Sequence, residues 1–140
     1  MSSSRTTNVT RAERDRRMHA ERLGTAARAG LTNAQRRGTD SWERLQAPGL
    51  TAENVRMDGF FETITRAQFT TKLWQGLIDA LESNSDAVAT WHDQMAKAER
   101  EAERPLGNMG NPVADARRHL WLEANRDFAR DAADSFRRVS

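Results

Sequence analysis

The residue types that can do chemistry are few in this chain and lie far apart. Its histidines are His19, His92 and His119, and it has no cysteine. His92 sits beside Asp93, and His119 stands one helical turn before Glu123. Each pair offers two ligands, whereas a metal site needs three or four that converge. There is no His-Glu-x-x-His sequence and no paired Glu-x-x-His of the kind that di-iron bundles use. The lack of cysteine excludes thiolate catalysis, disulfides and cysteine metal sites.

General acid–base work needs carboxylates placed in a pocket. The acids here mostly sit next to arginines, a pattern of solvated helix faces with i,i+4 support. Serine and threonine gather at the N-terminus and at candidate caps, with no nucleophile elbow. Glycines occur singly, with no phosphate-cradling loop. The expectation is a protein without metal, cofactor or small-molecule substrate, and not an enzyme.

What remains is charge. Residues 1–40 hold nine arginines against four acids, while the rest of the chain holds 13 basic and 16 acidic residues. Arg11, Arg14, Arg16, Arg17, Arg22, Arg28, Arg36 and Arg37 can bind phosphate or carboxylate bidentately. Phosphate contacts of this kind give salt-dependent, sequence-independent affinity for nucleic acid. An acidic protein surface fits the same charges. No aromatic residue interleaves the arginines, so base stacking is not indicated. Glu13, Asp15 and Glu21 dilute the patch.

The elements must place these groups. Beyond Met1, residues 1–40 offer only Val9, Met18, Leu23 and Leu31 as sizeable apolar side chains, and all four Trp and all five Phe lie in 41–140. Residues 1–40 therefore read as a basic arm. The arm is helix-competent, with Glu13–Arg17 and Asp15–His19 at i,i+4, but Gly24 and Gly30 weaken it and no apolar stripe holds it. It is expected to be partly disordered, or ordered by a partner. Residues 41–140 form the body, enough for a modest core.

Asp40-Ser41-Trp42-Glu43 has the form of a capping box, starting a short helix in which Trp42 and Leu45 pin the arm to the body. Thr51 is a second N-cap, with Leu50 and Val55 at the positions of a hydrophobic staple. Two heptad sets follow. One runs Met57, Ile64, Thr71, Ile78, Ser85, His92, and the other Phe60, Ala67, Trp74, Leu81, Val88, Met95. Asp58-Gly59 can kink the first segment, and Ser83-Asn84-Ser85-Asp86 restarts the helix. His92 falls in the half-polar seam, where a buried, hydrogen-bonded histidine is the ordinary outcome. Asn111-Pro112 supplies a cap and a first-turn proline. Arg117, one turn before Trp121, is placed for a cation–π contact. Helices are expected over about 52–82, 85–104 and 112–138.

Trp74-Gln75-Gly76 has the form of the Trp-x-Gly turn of small secreted helical-hairpin proteins. It lies inside the continuous heptad pattern, so it reads as helix and assigns no family.

The fold class is all-α: a small helical bundle or extended helical hairpin with heptad-like packing and a basic N-terminal arm. Phe69, Leu73, Gly76 and Ala80 follow helical spacing opposite the heptad face. A helix apolar on two faces is central in its bundle or shared with another subunit, so these four residues are the expected partner interface. The functional expectation is a non-enzymatic helical assembly protein. It would be a small subunit of a larger complex, for example a virion or an effector complex, that self-associates or docks on a protein partner. The alternative is a nucleic-acid-binding accessory protein with the arm as phosphate clamp. No stretch approaches the roughly 18 apolar residues of a membrane span, and the start lacks the apolar region of a secretory signal. The expected location is cytoplasmic, or within a larger particle.

Overall fold

The computed structural model describes residues 2–46, 48–49, 51, 59–105 and 110–140, with side chains from residue 10 onward. The described residues form helices and no strand: α1 (Ser2–Leu45), α2 (Phe60–Ser83), α3 (Ala87–Ala102) and α4 (Pro112–Val139). The Thr51 cap and its staple depend on Leu50 and Val55, which lie outside the described residues.

Local signals explain most helix ends. Gly59 precedes α2 in the left-handed region, at φ 64, where glycine carries no Cβ penalty. Asp86 caps α3 by accepting the amide N–H of Ala89 at 3.1 Å. Asn111 caps α4 by accepting from Val113 and Ala114, with Pro112 in the first turn. The heptad pattern therefore does not run through: the chain leaves the helix at Asn84 and re-enters at Ala87.

Cross-contacts give the topology. Arg44 lies over Phe60, Gly38 faces Ala67 and Gly30 faces Trp74, so α1 and α2 are antiparallel. Trp91 bonds to Ala132 and Trp121 to Glu101, so α3 and α4 are antiparallel too. Arg66 meets Glu123 and Trp74 meets Phe128, which sets α4 parallel to α2. Among the described residues the result is an up-down-up-down bundle of four helices. Its core joins Trp74, Trp91 and Phe128 with Leu23, Leu77 and Ile78. The Trp74 and Phe128 rings meet edge to face at 4.9 Å, a favoured aromatic geometry. Trp91 is wholly buried, and its Nε1 donates to the Ala132 carbonyl at 3.0 Å.

The expected coreless arm is corrected here. α1 runs unbroken from Ser2 to Leu45, so no new helix starts at Asp40. Leu23, Ala27 and Ala34 are 0%, 0% and 1% exposed. With Gly30, Gly38 and Ser41 they make a stripe at spacings of three and four. It is a stripe of small residues, which lets α1 approach α2 closely. A Cβ on Gly30 would lie 2.5 Å from the Trp74 indole. The glycine that looked like a helix weakener is the seat of the largest core side chain of α2.

Only the start of α1 stands clear. His19 packs at the end of α4, 6.0 Å from the Phe136 ring. Every side chain from Arg11 to Met18 is exposed. The antiparallel pairing sets this segment beyond the bundle end formed by the C-termini of α2 and α4. Residues 2–18 extend about 25 Å at 1.5 Å per residue.

Candidate functional site

What sets α1 apart is how few of its arginines have an intrachain ion-pair partner. Arg11, Arg14, Arg16, Arg17, Arg22, Arg28 and Arg36 are all exposed, and none forms an ion pair among the described residues. The Glu13–Arg17 and Asp15–His19 pairs expected from spacing are not formed. Arg37 is tied to Asp131 of α4 at 3.7 Å.

Elsewhere most arginines have intrachain partners. Arg66 reaches Glu123 at 2.7 Å, and Arg104 pairs with Glu101. Arg130 and Arg137 pair with aspartates of their own helix. Arg118 donates to the Pro105 carbonyl, and Arg138 to that of Asp134. Arg117 lies 5.0 Å over Phe69, not over Trp121 as its spacing suggested. Phe69 comes between them, edge-on to Trp121 at 5.2 Å.

The arrangement around α1 follows from its packing. At about 100° per residue, Arg11, Arg14, Arg17, Arg22, Arg28 and Arg36 occupy the arc opposite Leu23, Ala27, Gly30 and Ala34. Arg16 lies on the other side. It is exposed because α1 has no neighbour at that level. The projecting segment thus carries arginines around its circumference, and the packed segment carries them on its outer face.

The expected partner interface is largely internal. Phe69 is buried against Trp121, and Leu73 packs on the core cluster. Ala80 is half-buried, and Gly76 is exposed with open space around it.

A second polar cluster lies between α2 and α4. Glu123 accepts from Arg66 at 2.7 Å and lies 2.9 Å from the His119 Nε2. This places the His119–Glu123 pair on the rim of an open groove of about 670 Å³, with Glu99 and Glu103 across it. The cluster orients an imidazole and ties two helices, but Glu123 is its only carboxylate at bonding distance. His92 is exposed beside Phe136 at 4.7 Å, not buried in a seam. No three potential metal ligands converge among the described residues.

An apolar pair, Trp42 and Phe61, is 56% and 61% exposed. Trp42 edges a groove between α1 and α2 that Ile64 and Ala67 also line. Sequence reasoning used Trp42 as a pin to the body; the structure turns it outward. No helix among the described residues is long and apolar enough to cross a membrane. No known protein family, curated protein or solved structure matches this chain.

Proposed function

We propose that this chain is a non-enzymatic helical assembly protein, a small subunit that contacts its neighbours in a larger complex through α1. One observation carries the reading. α1 is a single helix of 44 residues, yet every side chain from Arg11 to Met18 is exposed and the packing on the bundle begins at His19. An unsupported helix shorter than about 12–15 residues is marginal in water, and a longer one without an alanine-rich sequence gains little. A projecting helical segment studded with unpaired charge gains its stability from something it meets. Phe69 and Leu73 are taken up by intrachain contacts, which favours the start of α1 over the middle of α2 as the contact surface.

The test is the native mass with and without the projection. Protein drawn from its own cells is expected to sediment well above its monomer mass of 15.8 kDa. A variant lacking residues 2–18 should sediment as a monomer with an unchanged melting temperature. A full chain that is monomeric in native extracts, or a truncation that leaves the complex whole, overturns the reading.

A further inference from the structure

The projecting segment has a geometry that selects among anionic partners. Between residues 10 and 18 its arginines are Arg11, Arg14, Arg16 and Arg17. At about 100° per residue, Arg11, Arg14 and Arg17 span an arc of about 120° on one face of the helix, and Arg16 lies nearly opposite Arg14. A flat anionic surface, whether a protein face or a lipid bilayer, meets one side of a helix and leaves the other unpaired. A lipid surface also needs an apolar face to insert, and between Arg11 and Met18 only Ala12 and Met18 are apolar. A cleft with anionic walls on both sides meets all four arginines.

Double-stranded DNA of the B form supplies such a cleft. Its major groove is about 12 Å wide and admits an α-helix, with a phosphate strand on either wall. A helix with its side chains is about 10–12 Å across. The groove of A-form RNA is too deep and narrow for this. Only the first part of α1 is free to enter, because α2 and α4 flank it from His19 onward. Arg22 and Arg28 then continue the outward face toward the backbone at the groove edge. Glu13 and Asp15 sit among the arginines and lower the attraction.

We propose that residues 2–18 of α1 enter the major groove of duplex DNA without sequence preference, with Arg11, Arg14, Arg16 and Arg17 on phosphates of both strands. This rests on the assembly reading, since it names what the projection meets. Each phosphate neutralised contributes about −0.9 to the slope of log affinity against log salt. Four contacts predict a slope near −3.6 and about a hundredfold loss of affinity between 50 and 200 mM salt.

The experiment is fluorescence anisotropy of the full chain with a mixed-sequence DNA duplex across that salt range. Arg11, Arg14, Arg16 and Arg17 are then changed together to Gln. These side chains are all exposed, with Arg17 at the edge of a groove that Leu81 and Glu82 of α2 also line, so the melting temperature should hold while duplex affinity falls at least tenfold and the slope flattens by 3 or more. Changing the intrachain-paired Arg130 and Arg137 to Gln should leave both unchanged. Two duplex DNAs of unrelated sequence should bind alike, and duplex RNA and phosphatidylserine vesicles should bind at least tenfold more weakly. No duplex binding at 50 mM salt overturns the proposal, as does binding that survives the quadruple change. Equal affinity for the vesicles or duplex RNA overturns the groove assignment. If DNA binding fails while truncation of residues 2–18 still dissolves the native complex, this proposal falls and the assembly reading stands.

Discussion

At the scale of single residues, three glycines separate packing from propensity. Glycine in a helix interior costs roughly 0.5–1 kcal/mol relative to alanine. At Gly24 the only neighbour of an added Cβ is the flexible Arg28 side chain at 3.7 Å, and at Gly76 there is open space. Gly24→Ala and Gly76→Ala should therefore stabilise by about 0.5–1 kcal/mol. Gly30→Ala drives a methyl to 2.5 Å from a buried indole. Overpacking of that kind costs about 1–3 kcal/mol, which exceeds the gain in propensity. Urea midpoints of the three variants check this, and a Gly30→Ala protein as stable as the other two would mean α1 does not rest on Trp74. Gly76→Ala also tests the expected α2 interface, because a methyl added there lowers the native mass if another chain packs on Gly76. Trp91→Phe removes the bond to the Ala132 carbonyl and part of the core volume. It should cost about 1–3 kcal/mol, read from the same denaturation curves.

At the scale of elements, the caps decide where α3 and α4 begin. Asp86→Ala and Asn111→Ala should each cost about 1 kcal/mol, since each removes the acceptor for first-turn amides. Circular dichroism melts of the two variants check the prediction. The Arg66–Glu123 bridge between α2 and α4 is different. Its side chains are 44% and 29% exposed, so Glu123→Gln should cost less than about 1 kcal/mol. These signals were legible because capping is local: a polar side chain, a proline and the amides they serve lie within four residues. The partner of Phe69 was not legible. The spacing that sets Phe69 opposite the heptad face is the same whether Trp121 or another chain covers it, and only the crossing of α4 over α2 decides between them.

At the scale of the whole molecule, α1 belongs to two regimes. Leu23→Ala should cost about 2–5 kcal/mol, because Leu23 is fully buried among α2 and α4 side chains. Removing residues 2–18 should leave the melting temperature within about a degree, because the side chains from Arg11 to Met18 are all exposed. A cooperative melt that is insensitive to Leu23→Ala would return the whole of residues 1–40 to the status of an arm. The same division shapes the electrostatics. Most arginines of the later helices have intrachain partners, whereas those of α1 from Arg11 to Arg36 are exposed without a carboxylate partner. The free charge of the molecule is therefore concentrated along one rod and at one end of the bundle.

The sequence by itself determined the all-α class, the break between α2 and α3, the cap at Asn111, the bounds of α4 and the concentration of arginine before residue 40. Each follows from composition or from contacts a few residues apart. The box at Ser83 was out of register, since Ser83 ends α2 and Asp86 is the cap. Only the tertiary structure decided that the stripe of Leu23, Ala27, Gly30 and Ala34 is a core face. Small residues carry little hydrophobic signal of their own, and their value lies in the bulk they admit from another helix. In this chain that bulk is Trp74, more than forty positions away. The arginines that looked like one arm are divided by this contact into a packed outer face and a free projection, and the chemistry proposed for the chain sits on the latter.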